Sequence, residues 1–264
     1  ITGAGEISNV RKKFRLDVEN EIDYNDITKK GLLDILFINK DTSLNYEIKS
    51  NSLSFFSENG KNKYEGIIDF KPFYFLSNFN YDGLSSKNLF NNDSIFINLI
   101  KSEILKNKNL NALVNLNIRD ITNIDELNNL SLKSKIEEGE ISFSDSNIMW
   151  KEDLNIKFNE SLLNYDNNEL NLIGKVSLEF KDLNNFYRSF QIKKNYRKKV
   201  NQIQIDFIYN LNNNEISFDN PRINNNSNLK VEKFIQDFNL QNRKIFNKIT
   251  FKNFVNNFFE AYAG

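Results

Sequence analysis

The side chains of this sequence that could carry acid–base chemistry are carboxylates, because the 264 residues include no histidine and no cysteine. The densest group is Glu137, Glu138 and Glu140, and Asp166 follows later in the chain. Paired carboxylates are the groups that hydrolyse glycosidic bonds. Here they lie in predicted turns or on the outer positions of alternating segments, so we expect no enzymatic activity.

The missing residue types also limit cofactor chemistry. Without cysteine there are no disulfides, thiolate metal sites or cysteine nucleophiles, and without histidine the commonest general base and metal ligand is lost. The glycines Gly3 and Gly5 lack the lysine and the strand-to-helix context of a phosphate loop. We therefore expect no metal and no cofactor.

The densest basic segment consists of Lys193, Lys194, Arg197, Lys198 and Lys199, with Tyr196 among them. Two interpretations remain open, a solvated loop or a contact with anionic lipid headgroups. The whole chain balances 35 Lys and Arg against 35 Asp and Glu. Nucleic-acid-binding proteins usually carry a basic excess, so we expect no nucleic-acid partner.

The elements that position these side chains are predicted from alternating apolar residues, and the clearest example runs from Tyr64 to Tyr81. Ile68 and Phe70 alternate with polar residues before Pro72, and Phe73 and Phe75 continue the alternation after it. A period of two places alternate side chains on opposite faces of a strand. Proline cannot donate to a ladder, so we expect Pro72 at an edge, a strand end or a bulge.

Similar segments recur along the chain and predict a mostly β protein with largely antiparallel strands. Apolar residues at helical spacing predict helices near residues 93–106 and 182–190. We expect a β region over residues 1–229 and a C-terminal helical segment over residues 230–264. The phenylalanine stripe of residues 251–262 fits a packing helix or a helix on a membrane or partner surface.

Three stretches carry a resemblance to a known family. They are Gly66–Phe73, the change from helix at Ile95–Leu105 to strand at Asn111–Ile118, and the strand Leu170–Leu178. From about Phe14 to Tyr209 the chain resembles the C-terminal, AsmA-like region of the AsmA/TamB/YhdP-type envelope proteins, bacterial members of the repeating β-groove, bridge-like lipid-transfer group.

The resemblance implies a long, curved antiparallel sheet that forms an apolar groove for phospholipid or other acyl-chain lipids. It also implies lipid transport between membranes and outer-membrane biogenesis in the periplasm of a Gram-negative-type cell envelope. The family's inner-membrane anchor would belong to an N-terminal segment missing from this sequence. Contacts with the inner or outer membrane would then involve parts outside it.

Periodicity alone leaves two architectures open. The apolar faces fit either a ligand-free structural or adhesion-type β-sandwich, closed by a second sheet, or an open groove. Under the groove hypothesis the basic segment contacts headgroups and the apolar strand positions contact lipid. Those positions are Phe14, Leu16, Val18, Tyr46, Ile48, Ile68, Phe70, Phe73, Phe75, Val114, Leu116, Ile156, Phe158, Val176, Leu178, Ile205 and Phe207.

Overall fold

The computed structural model describes the backbone of residues 2–7, 12–23, 28–37, 40–57, 60–86, 107–166, 169–241 and 248–264. Side chains are described for residues 28–34, 42–57, 60–86, 107–164, 169–240 and 248–264. The helix predicted over residues 93–106 lies outside the described residues. Phe14, Leu16 and Val18 belong to a described strand, but their side chains are not among those described.

Strands dominate the described chain, and the predicted mostly β class with a few helices is confirmed. The strands are β1 Thr2–Ile7, β2 Lys12–Asp23, β3 Thr28–Phe37, β4 Lys40–Ile48, β5 Ser52–Phe56, β6 Lys63–Phe70, β7 Phe73–Ser85, β8 Asn111–Thr122, β9 Leu127–Glu137, β10 Glu140–Ser142, β11 Ser146–Trp150, β12 Leu154–Asp166, β13 Glu169–Phe180, β14 Gln202–Asn210 and β15 Glu215–Ile223. The helices are α1 Leu183–Ser189, α2 Leu229–Gln241 and α3 Lys248–Ala263, with a 3-10 turn at Lys194–Tyr196.

The chain divides into two compact units. Unit 1 holds residues 1–125 and 130–141, and unit 2 holds residues 126–129 and 142–264. The division expected at residue 230 does not coincide with this one, because α2 packs on β15 and α3 contributes to the same apolar core as β12–β15. The C-terminal helices are therefore part of unit 2.

In unit 1, strands β1 to β8 pair in sequence order, and every pair up to β6–β7 is antiparallel. The β7–β8 pair is parallel, an exception within the largely antiparallel arrangement that the sequence predicted. Parallel neighbours need a crossover connection rather than a tight turn. The alternation of apolar residues is the same for either direction, so the sequence pattern could not distinguish them.

Pro72 lies in the two-residue turn between β6 and β7, where Phe70 pairs directly with Phe73. A proline at this position removes no ladder hydrogen bond, in agreement with the predicted strand end. Asn51, in the connection between β4 and β5, holds this turn in place through two hydrogen bonds. Its carbonyl accepts the N–H of Phe70 at 2.9 Å, and its side-chain amide donates to the carbonyl of Lys71 at 3.1 Å.

In unit 2, β12 to β15 form an antiparallel series, and β11 pairs with β12. Helix α1 starts after Asp182, whose carboxylate accepts the N–H of Asn185 at 2.9 Å. This N-cap satisfies a backbone donor that the helix itself leaves unpaired, and the helix predicted near residues 182–190 is confirmed. In α3, Phe258 and Phe259 are buried, and the ring centroid of Phe254 lies 5.3 Å from that of Phe218 in β15. The phenylalanine stripe therefore forms a packing helix.

Helix α2 also protects an edge of this sheet. The side-chain amide of Asn239 donates to the carbonyl of Phe218 at 2.7 Å, and its oxygen accepts the N–H of Phe218 at 3.1 Å. An exposed strand edge is a template for pairing with other chains. The amide of Asn239 takes the place of a neighbouring strand at this point of β15.

Candidate functional site

Unit 1 has one sheet face on which predicted lipid-contacting residues come together. Directly paired residues on neighbouring strands project to the same side. The register aligns Ile48, Leu53, Ile68, Phe75 and Ala112 in one row, and Tyr46, Phe55, Gly66, Ser77 and Val114 in the next. Tyr64, Phe79 and Leu116 follow, then Tyr81 and Ile118, while Phe70 and Phe73 pair at the other end. These residues together are termed the apolar face.

All the predicted lipid-contacting residues of unit 1 whose side chains are described lie on the apolar face. They are Tyr46, Ile48, Ile68, Phe70, Phe73, Phe75, Val114 and Leu116. The sequence pattern assigned each residue to a side of its own strand. The register shows that these sides form one surface across five neighbouring strands, β4 to β8.

Exposure on the apolar face decreases from one end to the other. Phe70 and Phe73, beside the β6–β7 turn, are 41% and 37% exposed. Ile68 and Phe75 in the next row are half-buried, and Tyr81 and Ile118 at the far end are buried. The face is therefore open beside the turn and closed at its far end.

Aromatic rings fill the middle of the apolar face. Phe55 lies 6.4 Å from Phe75 and 6.4 Å from Phe79, measured between ring centroids. Tyr64 meets Tyr81 edge to face at 5.2 Å. Burial, reinforced by the neighbouring Tyr64, raises the pKa of Tyr81, so this end of the face stays uncharged near neutral pH.

Within the described part of the chain, the hydroxyl group of Ser77 lies unpaired in the apolar face. Ser77 is fully buried between Gly66 and Val114, and among the described residues its hydroxyl has no hydrogen-bond partner. A buried hydroxyl without a partner loses its hydration and gains nothing in return. Ser77 is therefore tolerated rather than stabilising in this structure.

The opposite face of the same strands carries a polar ladder. Asn78 joins Glu65 at 3.0 Å and Asn115 at 2.7 Å, so three neighbouring strands are linked by side-chain hydrogen bonds. Arg119 pairs with Asp82 at 2.7 Å on the same side. The two faces thus differ in chemistry, since the opposite face combines these amides and charges with apolar residues such as Ile67 and Leu76.

The remaining predicted lipid-contacting residues lie in unit 2, and there the structure corrects the groove expectation. Ile156, Phe158, Val176, Leu178, Ile205 and Phe207 belong to the unit's hydrophobic core or pack against it. Helices close over this core. For example, the ring of Phe259 in α3 packs on that of Phe180, with 6.5 Å between the ring centroids. Alternation along the strands could not reveal this cover, which leaves the apolar face of unit 1 as the candidate lipid surface.

The basic segment of residues 193–199 also lies in unit 2, and its backbone is fixed from both ends. Ile192 and Val200 are buried, and Arg197 donates from Nε to the carbonyl of Ile192 at 2.9 Å. The buried hydroxyl of Tyr187 donates to the carbonyl of Lys198. Burial raises the pKa of Tyr187 to about 12, so this donor keeps its proton.

The cations of the segment point into solvent. Lys193, Lys194, Lys198 and Lys199 are exposed. No ion pair joins them or Arg197 to a carboxylate of the described part of the chain. The segment therefore presents its charges on a fixed backbone.

Of the carboxylates predicted as the candidates for catalysis, three lie together at one turn. Glu137, Glu138 and Glu140 are exposed around the β9–β10 turn, and Glu137 pairs with Lys135. Asp166 ends β12, and its side chain is outside the described ones. Within the described ranges, no three metal-ligating side chains are grouped as a metal ion would require.

Unit 2 contains an open cavity of about 650 Å³, which the sequence pattern did not indicate. Its lining mixes Glu160, Lys175, Asp206 and Asp219 with Ile173 and Ile208. Lys175 lies 3.9 Å from Glu160, and Asp206 accepts a hydrogen bond from Asn220 at 2.8 Å. Glu160, Lys175 and Asp206 are thus engaged with neighbouring side chains.

None of the helices in the described ranges has both the length and the apolar character to cross a membrane. Comparisons with protein-family models, with curated proteins and with solved structures each return no match for this chain.

Proposed function

We propose that unit 1 is a non-enzymatic lipid-binding unit that holds acyl chains of a phospholipid or a similar lipid on the apolar face. The observation that carries this proposal is the register, which joins the open end at Phe70 and Phe73 to half-buried Ile68 and Phe75 on one surface. An acyl chain requires apolar contact and no specific polar partner. Each buried CH₂ group contributes about 0.8 kcal/mol.

Binding on such a face is passive. Apolar contacts are non-directional, so a chain can shift along the rows without breaking specific bonds. The polar members of the apolar face are one buried serine and tyrosines whose pKa burial raises, so the face carries no charge near neutral pH. The lipid would leave unchanged.

The family resemblance supports a wider setting for this activity. We propose transport of lipid between membranes and a part in outer-membrane biogenesis, within the periplasm of a Gram-negative-type envelope. Attachment to the inner membrane through an N-terminal segment belongs to the same proposal.

The basic segment of unit 2 is the proposed contact for anionic headgroups. Its lysines are exposed on a backbone that buried Ile192 and Val200 hold in place. Each Lys or Arg near an anionic lipid surface contributes about 1 kcal/mol at moderate salt. Contact through this segment would therefore weaken as ionic strength rises.

A second candidate function is a ligand-free structural β domain. It is favoured by unit 2, where helices cover the apolar side of the sheet. The two functions make different predictions for the apolar face of unit 1, and labelling of single positions separates them.

The test places a photo-reactive phenylalanine analogue at Phe75 or at Leu76 in the full chain. These adjacent residues are both half-buried but lie on opposite faces of β7. Each variant is illuminated with a fatty acid kept below its critical micelle concentration, and adducts are located by mass spectrometry.

We expect fatty-acid adducts at position 75 and few at position 76. Equal labelling of both positions would contradict binding to the apolar face. Absence of adducts at position 75, in a variant whose circular dichroism matches that of the unmodified chain, would favour the ligand-free alternative.

A further inference from the structure

The β6–β7 turn places aromatic side chains on both sides of a lysine at one end of unit 1. Phe70, Phe73 and Tyr74 are 41%, 37% and 38% exposed, and Lys71 between them is also exposed. This group of Phe70, Lys71, Pro72, Phe73 and Tyr74 is termed the aromatic tip.

The aromatic tip is a fixed structure. Phe70 and Phe73 form the last pair of the β6–β7 ladder, and Tyr74 pairs with Asn111 of β8. Asn51 holds the turn through hydrogen bonds to the N–H of Phe70 and the carbonyl of Lys71. The aromatic tip would therefore lose little further backbone freedom when its side chains bind a partner.

The charges near the tip leave Lys71 available. No ion pair to a described carboxylate engages it. Asp69, two residues inward, pairs in the ladder with Tyr74. Glu47 lies 3.6 Å from Lys49 and 3.7 Å from Lys30, and Glu137 is engaged by Lys135.

The chemistry of the tip matches the surface of a lipid bilayer. Tyrosine favours the level of the headgroups, phenylalanine the boundary between headgroups and acyl chains, and lysine can reach the phosphates. Phe70 and Phe73 are also the open end of the apolar face, so lipid and protein surfaces would be continuous there. Exposed Phe56, by contrast, stands on the opposite face, where its paired neighbour is Glu65.

We infer that the aromatic tip docks unit 1 onto a phospholipid bilayer, with Phe70 and Phe73 at the boundary of headgroups and acyl chains, Tyr74 at headgroup level and Lys71 beside the phosphates. An acyl chain leaving the bilayer then meets Phe70 and Phe73 first and reaches Ile68 and Phe75 without crossing open water. The delivery role rests on the proposed function, whereas the docking itself does not.

The experiment measures flotation of the full chain with vesicles of phosphatidylcholine, with and without phosphatidylglycerol. Phe73→Ser is compared with Phe56→Ser, which removes an equally large exposed ring, 44% exposed, on the opposite face. Lys71→Glu is compared with Lys61→Glu, located beside the far end of the same hairpin, where Lys61 lies 3.9 Å from Asp82. Unfolding midpoints confirm that each variant is folded.

We expect Phe73→Ser to weaken binding to both kinds of vesicle by roughly ten-fold or more, because the variant lacks a ring that the bilayer would bury. Lys71→Glu should weaken binding to anionic vesicles by roughly 30-fold at low salt, since it reverses one charge. The Phe56 and Lys61 variants should bind as the unmodified chain does. Folded Phe73 and Lys71 variants that bind like their controls would overturn the docking inference.

Fatty-acid binding in the absence of vesicles separates the two proposals. The Lys71→Glu variant should still bind monomeric fatty acid, although its binding to anionic vesicles is weakened. A chain that binds vesicles through the tip but takes up no fatty acid would refute the lipid-holding function and leave the docking intact.

Discussion

The ring of Phe55 lies directly over the backbone of Gly66, its paired neighbour across β5 and β6. A Cβ atom built on Gly66 would stand 2.5 Å from Cζ of Phe55 and 2.8 Å from the carbonyl oxygen of Leu76. The absence of a side chain at Gly66 is what allows Phe55 to reach the centre of the apolar face.

Gly66→Ala should therefore destabilise unit 1. The new methyl group must displace the ring of Phe55 and presses on a backbone oxygen that cannot move freely. Overpacking of this kind costs about 1–3 kcal/mol. Urea unfolding followed by circular dichroism measures the change.

Gly83→Ala is the matched control in the neighbouring strand β7. The nearest atoms to a Cβ at Gly83 are 3.7 Å away, an ordinary contact distance. Alanine restricts the unfolded chain more than glycine, so this variant should be neutral or slightly stabilising. Equal losses for the two variants would contradict the close contact between Phe55 and Gly66.

A second pair of variants tests the unpaired hydroxyl on the apolar face. Ser77 and Ser177 are both buried strand residues, but only Ser177 accepts a described hydrogen bond, from the amide of Asn159 at 2.9 Å. Ser177→Ala leaves that amide without its acceptor and should cost about 1 kcal/mol. Ser77→Ala removes an unsatisfied group and should be neutral or stabilising.

Denaturant midpoints of the two serine variants, measured under the same conditions, decide between these outcomes. A Ser77→Ala variant that is less stable than Ser177→Ala would show that Ser77 forms a hydrogen bond in solution.

Local patterns predicted much of the fold. The alternation through Phe73 and Phe75 assigned both residues to the same side of β7, and the register confirms it. Pro72 lies at a strand end, and Asp182 caps α1, as their side-chain chemistry predicts. These features depend on neighbours in the sequence.

Features that depend on distant residues could not be predicted in the same way. Ile205 and Phe207 show the same alternation as Ile68 and Phe75, yet helices cover the first pair in unit 2. The parallel pairing of β7 with β8 and the hydrogen bond between Asn78 and Asn115 likewise join segments that are far apart in the chain. Periodicity predicts which side chains share a face but not what lies against that face.

The headgroup role of the basic segment predicts a charge-dependent loss of binding. Lys198→Glu reverses one charge in the segment and should weaken binding to anionic vesicles by about 2 kcal/mol at low salt. Lys233→Glu, at an exposed position of α2, is the control of equal charge change.

Vesicle co-sedimentation at several salt concentrations measures this effect. The difference between the variants should shrink as salt rises, since screening shortens the reach of each charge. Identical binding by the two variants at low salt would show that the basic segment is only a solvated loop.

The most direct measurement of the central claim is the lipid content of the purified protein, determined by mass spectrometry of its organic extract. The variant Ile68→Ser/Phe75→Ser alters one paired row of the apolar face, and Ile67→Ser/Leu76→Ser alters the corresponding pair on the opposite face. All four positions are half-buried, so the two variants lose similar packing. Lipid binding on the apolar face predicts acyl lipid in extracts of the unmodified chain and of the Ile67/Leu76 variant, and much less in extracts of the Ile68/Phe75 variant. Equal lipid in all three extracts, or an unmodified chain that carries none and takes none up from added fatty acid, would contradict it.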